Sequence, residues 1–249
     1  MKEEQAIQYR ELAKEHGLIL TIHAPYYISL ASLDKDVVER SKLEIKKSFD
    51  LAKILGVSRI IFHPGAGYGK TIEDRHEGLK RLINALNSIK NDIDTNNIKI
   101  YPEIGGKVNQ LGSLEEIIEI CKNVEYARPC IDLAHLHARE FGSMTSKDKI
   151  VSVLKKIEKE LGRKTLEETH FHVYPVDYTD KGEKIHKAFG EKKEDKQLSL
   201  FDECSEYMPR AEDYIDAIKE VGIEPITICE AHNTQDIGAI LMKELYFKK

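Results

Sequence analysis

The chain has 249 residues, enough for one domain of barrel size or two small ones. Its 41% hydrophobic and 33% charged residues allow a buried core and a soluble surface, and no apolar run approaches the ~18 residues of a membrane span. A formal net charge of −5 argues against a chain that coats nucleic acid non-specifically, while leaving room for a local site that grips a phosphate.

Met1 to Gln5 lack the apolar core of a signal peptide, so a cytoplasmic protein is expected. Cys121, Cys130, Cys204 and Cys229 have no CxxC spacing and read as reduced thiols, with Cys130 and Cys229 inside buried strands.

The pattern opens with a helix over about Glu4–Glu15, followed by a short apolar strand at Leu18–Ile22. A helix comes next, its apolar face made by Val38, Ile45, Phe49, Ala52 and Leu55, and Gly56 stops it. Arg59–Phe62 reads as the second strand, and Ile72, Leu79, Leu82, Ile83 and Leu86 as one face of the next helix. Between them, Gly65 to Gly69 resembles a phosphate loop but lacks the Lys-Ser/Thr pair, which disfavours nucleotide binding.

The third strand is expected at Ile98–Tyr101. Ser113 then caps a helix carrying Leu114, Ile117, Ile118 and Cys121, with Glu116 completing a capping box. Pro129–Leu133 is the fourth strand, and Ile150, Val153, Leu154 and Ile157 mark another helix. The fifth strand is Thr169–Val173. A long polar loop follows at 174–209, of a length that is usually functional or disordered. Tyr214, Ile215, Ile218 and Val221 form a helix face before the sixth strand, Ile226–Cys229. Ile237, Ile240, Leu241 and Leu245 give the last face. Short Ile-rich strands alternating with amphipathic helices predict an α/β fold with a parallel sheet wrapped by helices.

A residue able to bind metal stands at or just beyond the end of every strand: His23, His63, Glu103, Asp132, His172 and Glu230. A single such residue is more often structural. Six in a row are different, because parallel strand ends converge in a barrel and burying so many carboxylates and imidazoles without a compensating charge is very costly. Imidazole and carboxylate suit zinc, manganese or iron, and three acidic ligands suit more than one divalent ion. His135 and His137 lie beyond the fourth strand end, and His186 and His232 are further candidates. His170 shares a face with His172, and one of that pair is a supporting residue. His16 and His76 fall on helix surfaces.

The stretches His23-Ala-Pro-Tyr-Tyr-Ile-Ser-Leu, Phe62-His63-Pro-Gly65, Pro102-Glu103 with Gln110-Leu-Gly112, Cys130-Ile-Asp132-Leu-Ala-His135, His170-Phe-His172 and Ile228-Cys-Glu230 resemble the endonuclease IV (deoxyribonuclease IV) family of apurinic/apyrimidinic endonucleases, within the xylose-isomerase-like barrels. The resemblance runs from about Leu18 to Glu230. It implies a TIM-barrel-like parallel sheet with outer helices and a trinuclear zinc site, with manganese as an alternative metal.

Carried over, His23, His63 and Glu103 would hold one ion. Glu103, as a bridge, would hold the second with Asp132, His172 and Glu230. His135 and His186 would hold the third. Glu103 and Glu230 would be the catalytic carboxylates, and Tyr26 and Tyr27 would contact DNA, Tyr26 pressing into the stack. The implied activity is metal-assisted hydrolysis of the phosphodiester 5′ of an abasic sugar in DNA, leaving a 3′-hydroxyl.

The sequence departs from the family at three places. Lys184 stands where the third zinc takes an Asp, which leaves Asp177 or Glu183 as the substitute. Ile104-Gly105-Gly106 follows Glu103 where Asn-Thr is usual. Six strands are countable where the family barrel has eight. The reading is therefore one (β/α) barrel domain over 1–249, N-terminally incomplete, with an open sheet whose first and last strands lack a neighbour and favour self-association. Two other functions compete. One is a single-metal sugar isomerase or epimerase using Glu103, Asp132, His172 and Glu230, for which His23, His63, His135 and His186 are unnecessary. The other is a non-catalytic truncated metal-binding remnant.

Overall fold

The computed structural model describes residues 2–193 and 206–248; positions 194–205, with Cys204 and part of the expected 174–209 loop, lie outside them. In chain order the elements are α1 (Glu3–Glu15), β1 (Ile22–His23), α2 (Lys35–Leu55), β2 (Arg59–Phe62), α3 (Ile72–Ser88), a 3-10 turn (Lys90–Asp92), β3 (Lys99–Pro102) and α4 (Leu114–Asn123). There follow β4 (Cys130–Asp132), α5 (Leu133–Arg139), α6 (Lys147–Leu161), α7 (Arg163–Glu167), β5 (His170–Val173), β6 (Val176–Thr179), β7 (Gly182–His186), α8 (Ala211–Val221), β8 (Ile226–Cys229) and α9 (Gln235–Phe247). The chain forms two compact units, Met1–Gly105 with Asn109–Cys130, and Gly106–Val108 with Ile131–Lys249.

In the first unit β1, β2 and β3 form a parallel ladder. Its register places His23 beside Ile61, and Phe62 beside Pro102. The Glu103 amide then donates to the Phe62 carbonyl at 3.0 Å, so the ligands that follow consecutive strands come out level. Ile61, Tyr101 and Cys130 form a buried cluster beneath them. The helix ends follow local chemistry. Asp34 caps α2 by accepting from the Asp36 amide, Gly56 ends it with φ 68°, and Ser113 with Glu116 forms the expected capping box on α4.

Two expectations for this unit need correction. The Leu18–Ile22 strand is paired only at Ile22 and His23, and Leu18 and Ile19 are exposed because β2 offers them no ladder partners. Ile72 is likewise exposed at the start of α3, while Leu79, Leu82, Ile83 and Leu86 are buried as expected.

In the second unit β4, β5 and β8 are hydrogen-bonded in that order, with His172 beside Ile228. Among the described residues the strands group into two three-stranded ladders, and parallel pairing of Ile100 with Ala127 and of Glu103 with Cys130 continues from β3 to the start of β4; β1 and β8 each stand at the end of their own ladder. The 174–209 connection is not simply loop, since β6 and β7 form an antiparallel hairpin within it. The expected fourth strand, Pro129–Leu133, is shorter, and helix α5 begins at Leu133. Its N-cap, Asp132, accepts from the His135 amide at 2.7 Å, and this turns the chain into a helix at that point.

The face expected of α9 is also corrected. Ile237 and Ile240 are exposed, whereas Gly238 and Met242 are buried. A Cβ at Gly238 would lie 2.4 Å from Cys229 Sγ and 3.1 Å from the Phe189 ring, so the helix packs along its glycine face and turns the isoleucines outward. No helix among the described residues is long and apolar enough to cross a membrane.

Candidate metal centre

Three of the expected ligands meet in the first unit. Glu103, buried at 1% exposure, sits at the end of β3 and presents Oε2 to two imidazoles. His23 Nε2 lies 3.0 Å from that oxygen and His63 Nδ1 3.4 Å from it. The two rings are 5.0 Å apart, and one donor atom from each residue falls within 4.8 Å of the others. His23 Nδ1 is 2.8 Å from the Ala24 carbonyl, which can only accept, so Nδ1 carries the proton. In a neutral ring Nε2 then turns a lone pair toward a carboxylate oxygen. Two such acceptors at 3.0 Å repel unless a cation or a proton lies between them.

The same arrangement recurs in the second unit, on different elements. His186 Nδ1 donates to the Glu230 carbonyl at 2.9 Å, and its Nε2 faces Glu183 Oε1 at 3.1 Å. Glu183 Oε2 lies 3.1 Å from His135 Nε2. Burial pushes the Glu183 carboxyl upward, but the hydrogen bonds from His135 and His186 outweigh it and hold the group well below the usual carboxylate range. Burial lowers His186, and the Glu183 carboxylate with the Glu230 carbonyl raises it further than that, to a net upward shift. Asp177, the other carboxylate weighed for this position, is paired with Lys184 Nζ at 2.8 Å.

Asp132, His172 and Glu230 also come together in the second unit. His172 Nδ1 is 3.5 Å from Glu230 Oε1 and 3.8 Å from Asp132 Oδ2. The Tyr174 hydroxyl donates to Asp132 Oδ2 at 3.1 Å, and its ring stacks on His186 with centroids 4.0 Å apart. Tyr174 was not anticipated, because an aromatic residue after a strand carries no signal of its own. Of the strand-five pair, His172 joins a ligand group and His170 joins none among the described residues.

His137 is corrected to a packing residue. Its Nδ1 accepts from the Met144 amide at 3.1 Å, its ring meets Tyr178 edge to face, and burial together with Lys193 pushes it down to about 4. His16, His76 and His232 are exposed. Tyr26 and Tyr27 project from the chain just past His23, 83% and 61% exposed, with ring centroids 5.8 Å apart.

A family model described as xylose isomerase-like TIM barrel matches residues 1–246. An uncharacterized protein of Methanocaldococcus jannaschii is 27% identical over 98% of this chain and 82% of its own length. A probable endonuclease 4 of Halothermothrix orenii is 26% identical over 65% of this chain, and the match spans 58% of that protein. Among solved structures, a D-tagatose 3-epimerase-like protein superposes with a TM-score of 0.66 at 20% identity, covering 96% of this chain and 81% of the other, which is a likeness of fold. The parallel strands, the outer helices and the matched family model agree on a TIM-barrel-like α/β fold: the chain belongs to the xylose isomerase-like TIM barrel family.

Proposed function

We propose that this protein is a divalent-metal-dependent endonuclease that hydrolyses the phosphodiester 5′ of abasic sites in DNA. One observation carries the reading. The chain holds two separate imidazole–carboxylate groups, His23–His63–Glu103 and His135–Glu183–His186, in addition to Asp132–His172–Glu230. An enzyme that polarises one sugar with one metal has no use for so many donors, whereas phosphodiester hydrolysis gains from several cations around one phosphate. The similarity to proteins named endonuclease 4 supports the same choice.

Divalent ions bound there, zinc by the softness of the donors, would supply positive charge against the phosphate and its leaving oxygen. The protein's own residues do the positioning. The Ala24 carbonyl fixes the His23 ring and the Glu230 carbonyl fixes His186, each leaving Nε2 as the ligand atom. Tyr174 and the His135 amide between them hold both oxygens of Asp132. Tyr26 and Tyr27 offer flat apolar surfaces beside His23 that can fill the gap an abasic site leaves in the base stack.

The competing reading is the single-metal sugar isomerase or epimerase, and the epimerase-like fold neighbour is the observation that favours it. Elemental analysis of chelator-free protein, with incision of a duplex bearing one abasic site and epimerisation of ketohexoses assayed side by side, separates the two. Two or three equivalents of metal with incision are expected. One equivalent, sugar turnover and intact DNA would reject the nuclease.

A further inference from the structure

Strand β7 reads Gly182-Glu183-Lys184-Ile185-His186. On a regular strand Glu183 and His186, three apart, point to opposite faces. Their Oε1 and Nε2 nevertheless meet at 3.1 Å. The ladder gives the reason. Val176 pairs with His186 and Asp177 with Ile185, but the next pair is Tyr178 with Glu183, so Lys184 has no residue opposite it. An extra residue on one strand is a β-bulge, which twists the strand and re-aims the side chains on either side. Here it brings Glu183 round to the His186 side. It also sends Lys184 outward to Asp177, the other carboxylate weighed for the role.

A second observation comes from the 106–108 segment. Gly106 accepts from the Glu183 amide at 3.0 Å, so its backbone lies directly against the ligand. Its φ is not among the left-handed ones, so conformation alone does not demand glycine. Space does: a Cβ there would stand 2.6 Å from Glu183 Oε2 and 2.6 Å from His135 Cδ2. Gly182, which does adopt φ 94°, lets the hairpin press this close, for a Cβ on it would lie 2.2 Å from the Gly106 carbonyl oxygen. Gly106 and Lys184, two departures that look unrelated along the sequence, therefore meet at one carboxylate.

We propose that Glu183 is the carboxylate donor of a divalent-metal site completed by His135 and His186, and that the bulge at Lys184 and the missing side chain of Gly106 are what position it. The inference rests on the metal-centre reading above and assigns one donor and two positioning devices within it. Two imidazole nitrogens and one carboxylate oxygen, all within 4.8 Å of one another, make a donor set suited to zinc or cobalt.

The test is titration of the full-length protein, stripped of metal, with zinc and cobalt(II), read by chelator competition and by the cobalt absorption bands. Glu183→Gln, almost the same shape, should lose one equivalent or weaken it by about tenfold or more. Gly106→Ala should weaken that equivalent to a similar degree, and Asp177→Asn should leave it unchanged. Deletion of Lys184 gives Glu-Ile-His, whose donors share a face on a regular strand without the bulge, so the ion should be retained. Circular dichroism of each metal-free variant establishes folding before titration. Full stoichiometry at unchanged affinity in Glu183→Gln overturns the proposal, as does loss of the ion in Asp177→Asn or in a folded Lys184 deletion. A wild-type protein that binds no metal overturns the metal-centre reading along with it, which tells the two failures apart.

Discussion

The His23–His63–Glu103 group and the His135–Glu183–His186 group have the same donor composition, two imidazoles and one carboxylate. In each, a backbone carbonyl fixes the proton on one ring and points its other nitrogen at the carboxylate. Their scaffolds have nothing in common. The first group uses the ends of three consecutive parallel strands, and the β1–β2–β3 register makes the ligands level. The second takes one histidine from a seven-residue helix and its other two residues from a hairpin with an irregular ladder. The same coordination chemistry can thus come from the repeat of the fold or from local departures from it. The second route leans on single residues, Lys184 and Gly106, where the first leans on the whole ladder.

The largest expected effect falls on the strand-built group. Glu103 Oε2 faces both His23 and His63, so one oxygen serves two contacts. Glu103→Gln keeps the shape and removes the charge. Abasic-site incision should fall by orders of magnitude and metal content should drop, while the melting temperature changes little. Metal at the His135 group should survive, because its donors do not include Glu103. Single-turnover incision assays and metal analysis on the same preparation check both statements. Near-normal cleavage would remove Glu103 from the mechanism.

The two groups also differ in how far the sequence alone discloses them. His23, His63 and Glu103 follow short, Ile-rich apolar runs, so strand ends located by hydrophobicity locate the ligands too. Asp132, His172 and Glu230 were found in the same way. His135 and His186 stood among several candidate histidines, and only the family resemblance singled them out as ligands. Glu183 could not be separated from Asp177, because a bulge shifts parity by one and leaves no mark in composition. The same cause explains α9. Amphipathic periodicity chose the isoleucine face, but the close approach of Gly238 to Cys229 decided the packing. Regular repetition is legible along a chain, whereas contacts set by one missing side chain are legible only once both partners are in view.

An intermediate effect should distinguish the aromatic residues near each group. Tyr174 is fully buried and stacked on His186, so it serves the ligands. Tyr26 and Tyr27 are exposed beyond His23 and serve nothing within the chain's core. If they fill the abasic gap, Tyr26→Ala should weaken binding of abasic duplex by about tenfold, using roughly 1–3 kcal/mol for one aromatic–base stack. Metal stoichiometry and melting temperature should not move. Equilibrium binding by fluorescence anisotropy, with undamaged duplex as the control, makes the measurement. An equal loss on both duplexes would mean that Tyr26 contributes to general DNA affinity and not to recognition of the lesion.

The smallest effect concerns what steadies the strand-built group. Arg75 Nη2 donates to Glu116 Oε2 at 2.7 Å and to the Gln110 carbonyl at 2.8 Å. That carboxylate oxygen also accepts the amides of Gly112 and Ser113. From there the Gly112 carbonyl receives the Gly105 amide, and the Leu111 amide reaches the Gly65 carbonyl, so one buried pair ties down the segments that follow both Glu103 and His63. Burial raises the Glu116 carboxyl, but Arg75 and the two amides outweigh it and the net shift is downward. A carboxylate whose folded pKa is depressed stabilises the protein above its unfolded value, near 4.3, and that contribution is lost as the pH falls through the folded value. Glu116→Gln should therefore cost about 1–3 kcal/mol at neutral pH, since it leaves the partly buried guanidinium without its counter-charge. The gap between wild type and variant should close as denaturant melts are repeated at decreasing pH below the unfolded value. Zinc affinity of the His135 group should be the same in both proteins, and a gap that stays constant from neutral pH into acid would show that the Glu116 charge contributes nothing to the fold.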